Sequence, residues 1–169
     1  NTKFSVSPIT THIDISKVSK NLKKSLIINK VKTIINCYKK YFNKRPKIGV
    51  LGLNPHNSEY KKNSEELKII IPALNNLRKK GINLKGPLVP DTVFINQYKK
   101  YDIILGMYHD QVMTPFKALF NFEAINITLG LKYLRVSPDH GTAKDIIGKN
   151  KANPKSLIKC FEFIDKFGK

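Results

Sequence analysis

Residues 101–117, "YDIILGMYHDQVMTPFK", decide the fold. An apolar run, Ile103 to Leu105, stops at Gly106-Met107 and gives way at once to Tyr108, His109, Asp110 and Gln111, with Lys117 a short way on. A short apolar run bounded by glycine predicts a buried strand, Asp102 to Met107. The polar cluster at its end predicts a site carried on a rigid stalk.

Working outward, "RPKIGVLGLNPH" repeats the arrangement, with a strand from Lys47 to Leu53 and a loop that ends in His56. Before it, "DISKVSKNLKKSLIINKVKTIINCYKKYFNK" predicts one long amphipathic helix, with Leu26, Ile27, Val31, Ile34, Ile35, Tyr38 and Phe42 recurring at three and four. After it, a second helix is expected with Asn63 as N-cap, Glu66 completing a capping box, and Leu67, Ile70, Ile71, Leu74 and Leu77 as its apolar face. Pro72 should kink that helix, and Gly81 closes it. "GINLKGPLVPDTVF" is expected to be turns. "FEAINITLGL" and "KYLRVS" predict two short extended segments, and Ser156 to Phe167 a final helix with Leu157, Ile158, Phe161 and Ile164 inward. Strands alternating with helices imply an α/β domain with a largely parallel sheet flanked by helices.

The 169 residues suffice for one domain with its own core, and 41% apolar content fits a globular chain. No apolar run is long enough to cross a bilayer. The start, "NTKFSVSPITTH", lacks the basic and apolar regions of a signal peptide and begins as if in mid-strand, so a fragment of a longer protein is expected. Cys37 and Cys160 match no metal or redox spacing and fit reduced thiols in a cytoplasmic protein. The net charge of +19 suggests nucleic acid, but only three of 31 basic residues are arginines and the lysines are spread evenly. That distribution argues against specific nucleic-acid recognition, which favours arginine forks.

The chain has four histidines, His12, His56, His109 and His140, each just past an apolar stretch. Ligands of open α/β sheets bind outside the carboxyl ends of the strands. "ITTH", "LGLNPH" and "GMYH" could therefore bring three imidazoles to one sheet edge, a set suited to zinc or another borderline divalent ion. The alternative is that each histidine is a loop-end hydrogen bonder. "SPDHGTAKDIIGKNKANP", residues 137–154, is a second constellation, in which Gly141 allows close approach, Asp145 can accept from a ribose hydroxyl and Asn153 can read an adenine edge. Its alternative is an ordinary loop entering a helix, capped by Asp139 or Thr142.

Taken together, "GLNPH", "IIPALNNLRKKGINLKGPLVPDTVF", "YDIILGMYHDQ", "NITLGL" and "RVSPDHGTAKDI" resemble the C-terminal half of the 4-hydroxythreonine-4-phosphate dehydrogenase family. "HGTAKDI" and "KANP" also resemble the adenosine-binding loop of the isocitrate and isopropylmalate dehydrogenase group, whose fold is then expected. The resemblance implies NAD-dependent (or NADP-dependent) oxidation and decarboxylation of 4-phosphooxy-L-threonine to 3-amino-1-hydroxyacetone phosphate, a step toward vitamin B6. It places metal ligands on His12, His56 and His109, with zinc ahead of magnesium or cobalt. It places substrate contacts on Lys117, Asn126 and Arg135, and the cofactor loop on His140, Gly141, Thr142, Ala143, Asp145 and Asn153. Lys117 would hold anionic substrate or exchange a proton, and Asp110 would orient an imidazole. A homodimer with sites at the subunit interface is implied.

The sequence departs from the family at two points. Where the family has glycines after "NPH", this chain has "HNSEYKKNS", so a tight turn must be rebuilt and the placement of His56 is in question. Val112 stands where the family often has glycine. The family's N-terminal half, which completes the cleft, is not in this sequence. A dehydrogenase for a related phosphorylated hydroxy acid, or a non-catalytic remnant that binds metal or dimerises, are the alternatives.

Overall fold

The structure, a computed structural model, describes residues 4–121 and 123–168. Phe122, the first residue of the expected segment "FEAINITLGL", lies outside the described residues. Four strands form one parallel sheet: β1 (Ser5–Pro8), β2 (Ile48–Leu51), β3 (Leu84–Leu88) and β4 (Ile103–Gly106), in the order β1-β4-β2-β3. The register sets Ile103 of β4 opposite both Ser5 and Ile48, so the carboxyl ends of β1, β4 and β2 lie side by side.

Side chains alternate along the central strands, and this alternation builds two cores. Ile48, Val50, Ile103 and Leu105 point to one face of the sheet. There they meet Ile27, Val31 and Ile34 of α2 (Lys24–Phe42) and Ile70, Leu74 and Leu77 at and within α3 (Ile71–Lys79). Leu51 and Ile104 point to the other face, against Val112 and Phe116 of α5 (His109–Phe120) and Val93 of the single turn α4 (Pro90–Val93). Helices on both faces of a parallel sheet are the arrangement the alternating pattern predicted.

A smaller unit follows. β5 (Ile125–Thr128) and β6 (Arg135–Pro138) pair antiparallel, apart from the main sheet, and α6 (Lys155–Phe167) packs on them. Buried Ser156 joins the three elements: its hydroxyl donates to the Ala124 carbonyl at 2.6 Å and accepts from Asp139 N–H at 3.0 Å.

Three expectations are corrected. The single helix over 14–44 is broken: α1 (Val18–Asn21) ends at Leu22, whose extended backbone buries its side chain in the core before α2 starts. Asn63 and Glu66 form no capping box: Ser64 Oγ accepts from Leu67 N–H, and Glu66 turns to another partner. Near Pro72 the helix is interrupted, as its sequence suggests: a π turn, Glu66–Ile70, gives way to α3 one residue ahead of the proline. The wider turn accommodates the missing N–H and the ring. "GINLKGPLVPDTVF" contains β3, an edge strand, where a proline is tolerated.

The face expected inward on α6 lies outward. Leu157, Ile158, Phe161 and Ile164 are exposed, and Ser156, Cys160 and Phe163 are buried instead. The helix carries two apolar stripes, and periodicity cannot say which one this chain covers.

Candidate functional site at the strand tips

β4 ends at Gly106, and α5 begins three residues later at His109. His109 therefore sits in the first turn of a helix rather than in a loop. Its Nδ1 lies 2.7 Å from Asp110 Oδ1, a contact that restrains the ring and leaves Nε2 without a protein partner in the same contact. His12 follows β1, the strand hydrogen-bonded to β4, and its ring centroid is 6.0 Å from that of His109. The two imidazoles, with Thr10, Tyr108 and Asp110, line a cleft of about 130 Å³. A second cleft of about 280 Å³ shares Ile15, Val18 and Tyr108 with the first and continues to Asn54 and Glu65.

His56 stands apart from this pair. Its Nε2 lies 3.4 Å from Asp91 Oδ2, on α4. Residues His56 to Tyr60 all carry φ between 48° and 56°, a left-handed turn without glycine. Asn57 is buried inside it and donates to the Pro87 carbonyl at 3.2 Å. The loop is held at its base by Glu66, a fully buried carboxylate on the π turn. One oxygen accepts from the backbone N–H groups of Leu53 at 2.9 Å and Asn54 at 2.8 Å. Burial pushes the Glu66 carboxyl up, but the bonds from Asn54 backbone, Asn54 side chain and Leu53 backbone outweigh it and hold the group below the ordinary carboxylate value. Neighbouring Glu65 is also lowered, chiefly by the hydroxyl of Ser19.

Among the described residues, no three of His, Cys, Asp or Glu close around a point that would hold a metal. His12 and His109 fit as two ligands, and the third imidazole expected from sequence is not with them in the single chain.

The remaining expected residues fall in a separate group. Lys117, on α5, reaches the loop after β6: its Nζ is 3.6 Å from Asp139 Oδ2 and donates to the Asp139 carbonyl at 3.4 Å. Asn126 is exposed on β5, and Arg135 on β6 donates from Nη1 to Thr128 Oγ1 at 3.2 Å. His140, Gly141, Thr142, Ala143 and Asp145 are exposed, with Ala143 in left-handed backbone. Asn153 Oδ1 accepts from Lys155 N–H at 3.0 Å, at the entry to α6. Sequence reasoning missed three participants: Glu66 as the anchor of the His56 loop, Asp91 as the partner of His56, and Asp139 as the partner of Lys117. An acidic residue beside a recognised loop, as in "SPDH", was the one available signal.

The site thus stands on an α/β protein with a parallel sheet, whose adjacent β1 and β4 strand tips carry imidazoles. The chain belongs to the family described as pyridoxal phosphate biosynthetic protein PdxA, whose model matches residues 1–164. It is 49% identical to a 4-hydroxythreonine-4-phosphate dehydrogenase of Sulfurihydrogenibium sp., over 95% of this chain and 50% of that protein. It is 38% identical to a D-threonate 4-phosphate dehydrogenase of Pectobacterium atrosepticum, over 92% of this chain and 48% of that protein. A crystal structure of 4-hydroxythreonine-4-phosphate dehydrogenase from Klebsiella pneumoniae superposes with a TM-score of 0.83 at 37% identity, covering 96% of this chain and 50% of that one. The chain spans about half the length of the curated relatives it matches. The fold expected from the resemblance is the fold observed.

Proposed function

We propose that this chain is the C-terminal part of an NAD-dependent 4-hydroxythreonine-4-phosphate dehydrogenase. In this reading it contributes the metal, part of the substrate site and the cofactor loop to oxidative decarboxylation of 4-phosphooxy-L-threonine. The observation that carries the reading is the His12–His109 pair at the tips of neighbouring strands, with Asp110 on Nδ1 of the His109 ring. His12 and His109 would hold a divalent cation, zinc by the softness of its ligands, with His56 or a residue from a second subunit completing the set. Such a cation supplies Lewis acidity that lowers the pKa of the substrate hydroxyl.

The chain's own groups have separate tasks. Asp110 would restrain the His109 ring through Nδ1 and leave Nε2 for the cation. Lys117 offers a positive charge whose strength Asp139 moderates, suited to an anionic substrate group or to a proton. Arg135 and Asn126, exposed on the β5–β6 ribbon, are placed to meet a phosphate or a carboxylate. Residues 140–145 and Asn153 would receive the adenosine part of the cofactor. The outward apolar stripe of α6 supports a further protein layer there, in keeping with relatives of twice the matched length. A homodimer with shared sites belongs to the same proposal.

The 38% identity to a D-threonate 4-phosphate dehydrogenase favours a second substrate reading. Both are tested by following NADH formation with each phosphorylated substrate and added zinc, using the chain alone and mixed with a polypeptide matching the other half of its relatives. Turnover of 4-phosphooxy-L-threonine only in the mixture is expected. Turnover of D-threonate 4-phosphate alone would select the second reading. No turnover in any mixture would leave a non-catalytic metal-binding chain.

A further inference from the structure

We infer that Gln111 is a positioning residue that locks the tips of β1, β4 and β2 into one unit, setting the spacing of the histidines they carry. Gln111 is the third residue of α5, after Tyr108, His109 and Asp110. A glutamine in that place commonly reaches back to the N–H of the cap residue. Here it reaches one residue further: its Oε1 accepts from Met107 N–H at 2.6 Å. Its Nε2 then crosses between strands and donates to the Gly52 carbonyl at 2.8 Å, just past β2. The donor and acceptor identities fix the amide's orientation, because an N–H must meet oxygen and a carbonyl must meet a donor.

Met107 is tied on its other side as well. Its carbonyl accepts from Thr10 Oγ1 at 2.7 Å and from Thr10 N–H at 3.1 Å, just past β1. The series Thr10, Met107, Gln111, Gly52 therefore spans three strand tips, two residues from His12, two from His109 and four from His56. Gln111, Thr10 and Met107 are all buried, so each bond is shielded from water. Gly106 permits the close approach of Gln111, and Gly52 that of the neighbouring Asn57. A Cβ at Gly106 would sit 3.0 Å from Gln111 Oε1 and 2.5 Å from Val112 Cγ1, and one at Gly52 would sit 1.9 Å from Asn57 Oδ1. Because a metal set must be held within about 0.5 Å of its working geometry, a bond series behind the ligands has a task that packing alone does not perform.

The inference rests on reading the histidine tips as a cation site, and the test separates the two. The full chain and its Gln111→Met, Thr10→Val and Thr10→Ser variants are titrated with Co²⁺ alone, following its visible absorption. Hydrogen exchange of segments 52–60 and 107–111 is measured on the same metal-free samples. Gln111→Met removes both bonds at near-constant volume; Thr10→Val removes one, and Thr10→Ser keeps it. Expected are Co²⁺ affinities at least tenfold weaker for Gln111→Met and Thr10→Val with altered absorption bands, near-native behaviour for Thr10→Ser, and faster exchange in both segments of Gln111→Met. Folded variants with lower melting temperatures but unchanged Co²⁺ affinity and bands would overturn the inference. If Gln111→Met does not fold, the Thr10 pair decides by the same criteria. If the unaltered chain takes up no Co²⁺, the cation-site reading fails, and so does the positioning role; faster exchange in both segments would then show a purely structural tie.

Discussion

The tips of β4 and β2 carry one histidine each and are built on opposite principles. His109 stands in the first turn of a regular helix, with its carboxylate partner at the next position. His56 stands in a left-handed turn of five residues, without a glycine, leaning on Asp91 of a different element. A side chain at a helix start inherits its direction from the helix. A side chain on a connection depends on the residues of the turn, and left-handed backbone costs L-residues roughly 1–2 kcal/mol each. The β2 tip therefore needs an external anchor, and Glu66 supplies it through Leu53 and Asn54.

That contrast can be broken at the anchor. Glu66→Ala leaves two shielded N–H groups without an acceptor and opens a cavity, so urea unfolding should show a loss of about 3 kcal/mol or more. The corresponding change at the β4 tip, His109→Ala, removes a half-exposed ring and should alter stability by less than about 0.5 kcal/mol. Equal losses at the two tips would refute the contrast.

Acid sharpens it next. The folded Glu66 carboxyl titrates below its ordinary value, so its stabilisation is complete above the unfolded pKa of about 4.3 and fades as pH falls through the folded value. Glu66→Gln should be less stable than the parent by about 1–2 kcal/mol at pH 7, with the gap narrowing below about pH 4. A gap independent of pH would show that the charge is not what holds the loop.

A smaller effect at the β2 tip is a gain. Glu59→Gly places glycine at φ 48° in an exposed position and should raise stability by about 0.5–1 kcal/mol, read from the urea midpoint. A loss would mean that the turn is not strained.

How far the sequence could be read follows the same division. The runs at 48–51 and 103–106 lie on both-face-buried strands, and an apolar run announces such a strand directly. β3 was hidden because Lys85, Gly86 and Pro87 carry turn chemistry and only an edge strand tolerates them. The break at Leu22 has no glycine or proline to signal it. On α6 both stripes have helical spacing, and the buried one is chosen by the hydrogen bonds of Ser156 and by packing on the β5–β6 ribbon. In the site, histidines past apolar runs were visible as types, and Asp110 was visible as a neighbour. Glu66 was not, because its local pattern matched a helix cap while its real partners lie twelve and thirteen residues away. Gln111 and Thr10 were hidden for a similar reason: their partners lie across strands.

The central claim is that His12 and His109 hold one divalent cation between neighbouring strand tips. Calorimetric titration of the chain with zinc tests it most directly, set beside His12→Ala and His109→Ala. The account predicts one zinc per site, weakened at least tenfold by either substitution while the fold stays intact. Zinc uptake that is absent, or indifferent to both substitutions, would contradict it.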